Sequence, residues 1–106
     1  MAGDVRISDE VVWVVASVAW ETLFVEVLPR LPPDSVPAQL IDDMLHKSKT
    51  FYLDIGKMSK AEVVLVRDAV VAARAHFERE ELAGPYDAER FLKVVDDLIS
   101  KLRSVG

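Results

Sequence analysis

A chain of 106 residues that is 51% hydrophobic and 29% charged can bury a core without staples and is too apolar to remain disordered. It has no cysteine, which excludes disulfides, thiolate metal ligands and a thiol nucleophile. A formal net charge of −5 opposes nucleic-acid binding, whose affinity is built mainly from Lys and Arg on phosphates, and makes a basic protein the more natural partner.

Met1 to Ile7 carries Asp4 and Arg6 and lacks the basic start of a signal peptide. The apolar run Val11 to Ala19 is interrupted by Ser17 and then by Glu21 and Glu26, short of the roughly 20 apolar residues a membrane span needs. A cytoplasmic chain that does not enter a membrane is expected. Ser8 reads as the N-cap of a first helix over 8–28, with Asp9 and Glu10 in its first turn and Pro29 at its end. Val11, Val12, Val14 and Val15 would also suit a buried strand. The length of the run without a turn signal favours helix, because ordinary strands are only about 5–6 residues long.

Pro29, Pro32, Pro33 and Pro37 punctuate a stiff connection. A second helix is expected over 36–55, capped by Asp34 or Ser35, with Pro37 tolerated in its first turn. Its apolar side would be Leu40, Ile41, Met44, Leu45, Phe51, Tyr52 and Ile55, with Gly56 just past its end. Ser59 and Glu62 fit a capping box and Met58 and Val63 a hydrophobic staple, so a third helix starts at about 60 and runs to 83, stopped by Gly84 and Pro85. Its core stripe is Val66, Val70, Ala73 and Phe77, with Val64, Val71 and Leu82 on a second line. Asp87 caps a last helix over 88–104, whose stripe is Phe91, Val95, Leu98, Leu102 and Val105. Glu89 with Lys93 and Asp97 with Lys101 are i,i+4 pairs on its solvated side. The expected architecture is a single all-α domain, 1–106, in the form of an up-down antiparallel four-helix bundle.

On a helical wheel the first segment has two apolar sides. Trp13, Trp20, Phe24 and Val27 share one, flanked by Ala16 and Leu23, while Val11, Val14, Val18 and Val25 fall roughly opposite. A helix in a bundle needs only one stripe, so the excess implies a further cover. A two-fold dimer through Trp13, Trp20, Phe24 and Val27 is expected; the alternatives are a first helix central to its own chain and a dedicated partner. A ligand pocket at the two indoles is less expected than a core or interface role.

Chemistry-bearing constellations are sparse. Asp42 and Asp43 precede His46 by one helical turn, but only Asp43-Met-Leu-His46 approaches the Glu-x-x-His of bundle metal sites, and His76 has Ala73 where the acid should be. An ordinary surface pairing of His46 with Asp42 or Asp43 is the simpler reading. Glu21 and Glu26 lie in an apolar segment and point in different directions, as the rim of an interface would. Arg67 and Arg74 share a face with Glu78 and Glu81, and Arg74 with Glu78 is an ordinary surface bridge. Lys47, Lys49, Lys57 and Lys60 surround Phe51 and Tyr52, a patch too small to reverse the acidic balance, so no nucleic acid is expected. No Gly-x-Ser-x-Gly elbow or Gly-rich phosphate loop is present.

The chain therefore reads as a small acidic helical module, not an enzyme and without metal or cofactor. It binds or occludes a protein partner as an adaptor or as a neutraliser of a basic protein. The docking surface expected for that partner is Asp42, Asp43 and Asp54, because opposite charge speeds encounter. The alternative is a ligand- or metal-binding bundle using Asp43 and His46.

Overall fold

The structure is a computed structural model that describes residues 2–79 and 88–105, the last by its backbone alone. Its N-terminal end sets the architecture. Gly3, Val5 and Ile7 are buried while Asp4 and Arg6 are not, the period-two alternation of a strand with one face on a core. Strand β1 (Ala2–Arg6) is followed by a tight reversal over Ser8, Asp9 and Glu10, closed by Ile7 N to Val11 O at 2.9 Å and Val11 N to Ser8 O at 3.4 Å. Strand β2 (Val12–Ala16) returns antiparallel to β1, with Val5 opposite Trp13 and Asp4 opposite Val14.

No loop separates β2 from helix α1 (Ser17–Val27). Ala16 is extended, at φ −59° and ψ 143°, and caps α1 without a side-chain hydrogen bond. The apolar period changes at that point from two, with Trp13 inward between exposed Val12 and Val14, to that of a helix, with Trp20, Leu23, Phe24 and Val27 inward. A 3-10 turn at Leu28–Arg30 carries Pro29. Helix α2 (Val36–Asp43) is capped by Ser35, whose hydroxyl accepts from Ala38 N at 3.3 Å. A short π-helical segment, Met44–Ser48, ends at Lys49 in the left-handed region, φ 56°. Strand β3 (Tyr52–Asp54) then runs parallel to β1, giving the sheet order β2-β1-β3.

Helix α3 (Lys60–Arg79) opens on the expected capping box: Ser59 N donates to Glu62 Oε1 at 2.8 Å and Glu62 N to Ser59 Oγ at 3.2 Å. Val66, Val70, Ala73 and Phe77 are buried along it, and Phe91, Val95, Leu98 and Leu102 along helix α4 (Ala88–Val105). The two helices pack together, with Phe77 and Phe91 edge-to-face at 5.1 Å. Helices α1 and α4 lie against the inner face of the sheet, and α3 packs on both. Glu89–Lys93 and Asp97–Lys101 form the expected ion pairs, at 3.8 and 2.7 Å. Glu81, Leu82, the Gly84-Pro85 stop and the Asp87 cap lie outside the described residues.

The chain is therefore α+β and not an all-α four-helix bundle. The segment expected as one helix over 8–28 is a hairpin arm joined directly to α1, and Ser8 closes the hairpin turn instead of capping a helix. Ser and Asp serve both purposes, because their side chains bond nearby backbone in turns as readily as at helix starts. The helix expected over 36–55 stops at Asp43, continues as the π segment, and gives way to β3. Tyr52, Leu53 and Asp54 alternate exposed, buried and half-buried there, and Gly56 sits in a 3-10 turn (Ile55–Lys57), not at a helix end. Among the described residues no helix is long and apolar enough to cross a membrane.

Candidate partner-binding face

Directly paired residues of neighbouring strands point to the same side of a sheet. The register therefore builds an outer face in rows: Val14, Asp4 and Tyr52 form one, and Val12, Arg6 and Asp54 the next. The inner rows carry Val5, Trp13 and Leu53, all buried. A sheet with one covered face ordinarily shows polar residues on the other. Here β2 presents Val12 and Val14, 43% and 59% exposed, and β3 presents Tyr52, 46% exposed. Exposed apolar side chains grouped with an aromatic and an arginine resemble the composition of protein interfaces.

Inner-face packing holds this surface in place. Trp20 lies directly against Gly3, where an added Cβ would stand 2.5 Å from the Trp20 Cβ. Its Nε1 donates to the Asp4 carbonyl at 3.1 Å, and its ring stacks on Phe24 and Phe51 with centroids 4.2 and 5.0 Å away. Trp13 Nε1 donates to the Val94 carbonyl of α4 at 3.0 Å. Both buried indoles thus satisfy their polar atom, as burial of such a group requires.

The charge on the face is uneven. Arg6 donates to and pairs with Asp9, and Tyr52 and Asp9 together raise its guanidinium above the ordinary arginine pKa. Asp4, Asp54 and Glu10 of the hairpin turn have no ion-pair partner among the described residues. At the Arg6 and Asp54 end a cleft of about 440 Å³ adjoins the face, lined also by Asp9, Lys57 and Lys60.

The residues expected to act from sequence fall in several places. Trp13, Trp20, Phe24 and Val27 are at most 3% exposed and belong to the core of a single copy, so their side chains offer no surface for self-association. Val14, Val18 and Val25, from the opposite apolar side, are exposed at 59%, 56% and 50%. Asp54 stands on the sheet face. Asp42 and Asp43 are exposed on α2, and Asp42 borders a separate groove with Leu28, Pro29 and Leu31. His46 Nδ1 lies 2.8 Å from Asp42 Oδ1, the simple surface pairing. No group of three or more His, Asp or Glu side chains among the described residues is placed to hold a metal ion. His76 lies 3.7 Å from Glu26, which also meets Arg30 at 3.2 Å, so Glu26 pairs within the chain. Glu21 is exposed. Arg74 bridges α3 and α4 through Asp96 and reaches Glu78 at 2.8 Å; the Asp96 hydrogen bond is the main cause raising its pKa.

Sequence reasoning missed Val12, Asp4 and Arg6 as face residues and placed Tyr52 on a helix. The alternation Asp4-Val5-Arg6-Ile7, polar and apolar in turn, was the signal that could have found Asp4 and Arg6, whereas Val12-Trp13-Val14-Val15 is apolar throughout and carried none.

No family model and no curated protein matches the chain. Its fold is similar to that of a chain in a solved structure, "CdiA-CT toxin from Burkholderia pseudomallei E479 in complex with cognate CdiI immunity protein". The TM-score is 0.72 at 20% sequence identity, over 96% of this chain and 94% of that one. A likeness at that identity is one of fold.

Proposed function

We propose that this chain is a protein-binding module of the immunity kind, which docks a protein partner on the outer face of its sheet and neutralises it by occlusion. The observation that carries the reading is the outward row of β2. Val12 and Val14 stand in solvent where a monomeric half-covered sheet would carry polar side chains, beside an exposed Tyr52. The fold likeness to a chain of a toxin–immunity complex supports a protein as the partner. The net charge of −5, together with Asp4, Glu10 and Asp54, which have no ion-pair partner among the described residues, supports a basic one. In this reading the chain acts by occupancy and carries out no reaction of its own.

The test is rescue from a toxin. The chain is co-expressed with candidate toxin domains cloned from the genome that encodes it, and growth is scored with and without Val14→Lys plus Tyr52→Ala. The parent chain should restore growth and co-purify with the toxin at equal stoichiometry, and the double variant should do neither while keeping its melting temperature. Failure of the parent chain to rescue or to bind would remove the reading.

A further inference from the structure

The hairpin register decides where the main-chain groups of β2 point. Residues opposite one another in an antiparallel pair alternate between exchanging hydrogen bonds and facing away from each other. Ile7 N donates to Val11 O, so bonded pairs recur at Val5 with Trp13 and at Gly3 with Val15. The intervening pairs, Arg6 with Val12 and Asp4 with Val14, face away. Asp4 N confirms the phase: it donates at 2.8 Å to the carbonyl of Phe51, on the β3 side. The N–H and C=O of Val12 and Val14 therefore point out of the sheet, and among the described residues they meet no partner.

Natural edge strands are protected by a charge, a proline, a bulge or a covering element. The β2 sequence Val-Trp-Val-Val-Ala has neither charge nor proline, and its register with β1 runs unbroken from Ala2–Ala16 to Arg6–Val12. Inner packing anchors it, through the Trp13 hydrogen bond to Val94 of α4 and through the direct junction with α1. An edge with these properties is a template for another strand.

We infer that the open edge of β2 takes an extended, basic segment of a partner protein as an added strand. The inference rests on the protein-binding reading above and names the element that does the binding. Charge selects the occupant. The carboxylates nearest this edge with no ion-pair partner among the described residues are Glu10 of the hairpin turn and Asp4 on the adjacent strand. Arg6, by contrast, is paired with Asp9, and Lys57 and Lys60 lie beyond β3 beside Asp54. A second copy would bring the same unpaired carboxylates against them; a segment alternating Lys or Arg with β-branched residues brings the opposite charge and lays its apolar members beside Val12 and Val14.

The probe is a blocked peptide of about six residues, alternating Lys with Val and Thr, matched in length to an ordinary strand, titrated into the isotope-labelled full chain. The amides of Val12 and Val14 should shift and slow in hydrogen exchange, while Trp13 and Val15, already bonded to β1, change less. A version with Glu for Lys should bind at least about tenfold more weakly, and equal binding would overturn the choice of a basic occupant. Val14→Pro removes an outward N–H without touching the β1 ladder, and should weaken peptide binding and toxin rescue by up to about tenfold, the worth of one main-chain hydrogen bond. Val14→Thr keeps that donor and should bind and rescue. Peptide shifts confined to residues other than β2 would overturn the inference on the parent chain alone, whatever Val14→Pro does to folding. A folded Val14→Pro that rescues fully would sink the edge and leave the protein-binding reading standing. Failure of the parent chain to rescue would sink that reading, with the peptide titration still judging the edge. A concentration-dependent dimer that Val14→Pro dissolves would give the edge to a second copy and overturn the inference.

Discussion

Gly3 and Trp20 show how one residue fixes a larger surface. A methyl group at position 3 would overlap the Trp20 side chain at 2.5 to 2.7 Å, and neither the strand nor the fully buried indole has room to move. Gly3→Ala should lower stability by about 1–3 kcal/mol, the usual cost of overpacking, read as a fall in the denaturant midpoint. Because both indoles are buried and hydrogen-bonded inside one copy, tryptophan emission should be blue-shifted and weakly quenched by acrylamide. It should also stay constant from nanomolar to micromolar protein; emission that shifts with dilution would reinstate an interface at Trp13 or Trp20. Sequence reasoning expected these aromatics to anchor self-association, and the structure buries both indoles within one copy. Whether an anchor faces its own core or a neighbour depends on residues distant in the chain, here Asp4, Phe51 and Val94.

Among the elements, α3 and α4 were legible and the segments before them were not. The start of α3 is written in four consecutive residues, Ser59 to Glu62, whose hydrogen bonds close within one turn. Ser59→Ala should therefore cost about 1 kcal/mol, seen in thermal melts, with no loss of partner binding. The α3–α4 clasp of Arg74 on Asp96 is two-pronged and about a quarter exposed at the arginine, 27%. Arg74→Met should cost no more than about 1 kcal/mol, as surface pairs do, and high salt should shrink the difference. The first segment misled because strand and helix meet at Ala16 without a turn, so its length argued for one helix when it held two elements. Strand β3 has three residues, too few for a period to declare itself, and it exists only because β1 offers it a hydrogen-bonding edge.

For the whole molecule, the surface that matters is the side of the sheet that the helices do not reach. Val14→Thr and Tyr52→Ala exchange exposed groups and should each move stability by no more than about 0.5 kcal/mol. If the sheet face is the docking surface, Tyr52→Ala should nevertheless weaken partner binding by more than about fivefold, since aromatic anchors dominate such interfaces, as calorimetry with the co-purified partner would measure. The amino-acid sequence by itself determined that this chain folds around an apolar core, where α3 begins, which faces of α3 and α4 are buried, and that Val11 to Val27 carries more apolar surface than one helix stripe can use. Those properties follow from composition and from periods and caps that act within a few residues. Tertiary structure alone decided that Val12 to Ala16 is a strand, that Trp13 and Trp20 turn inward, and that Val12, Val14 and Tyr52 share an open face with Asp4 and Asp54. The reason is that strand pairing joins residues such as Asp4 and Tyr52, far apart along the chain, and a strand's two sides acquire meaning only when one of them is covered.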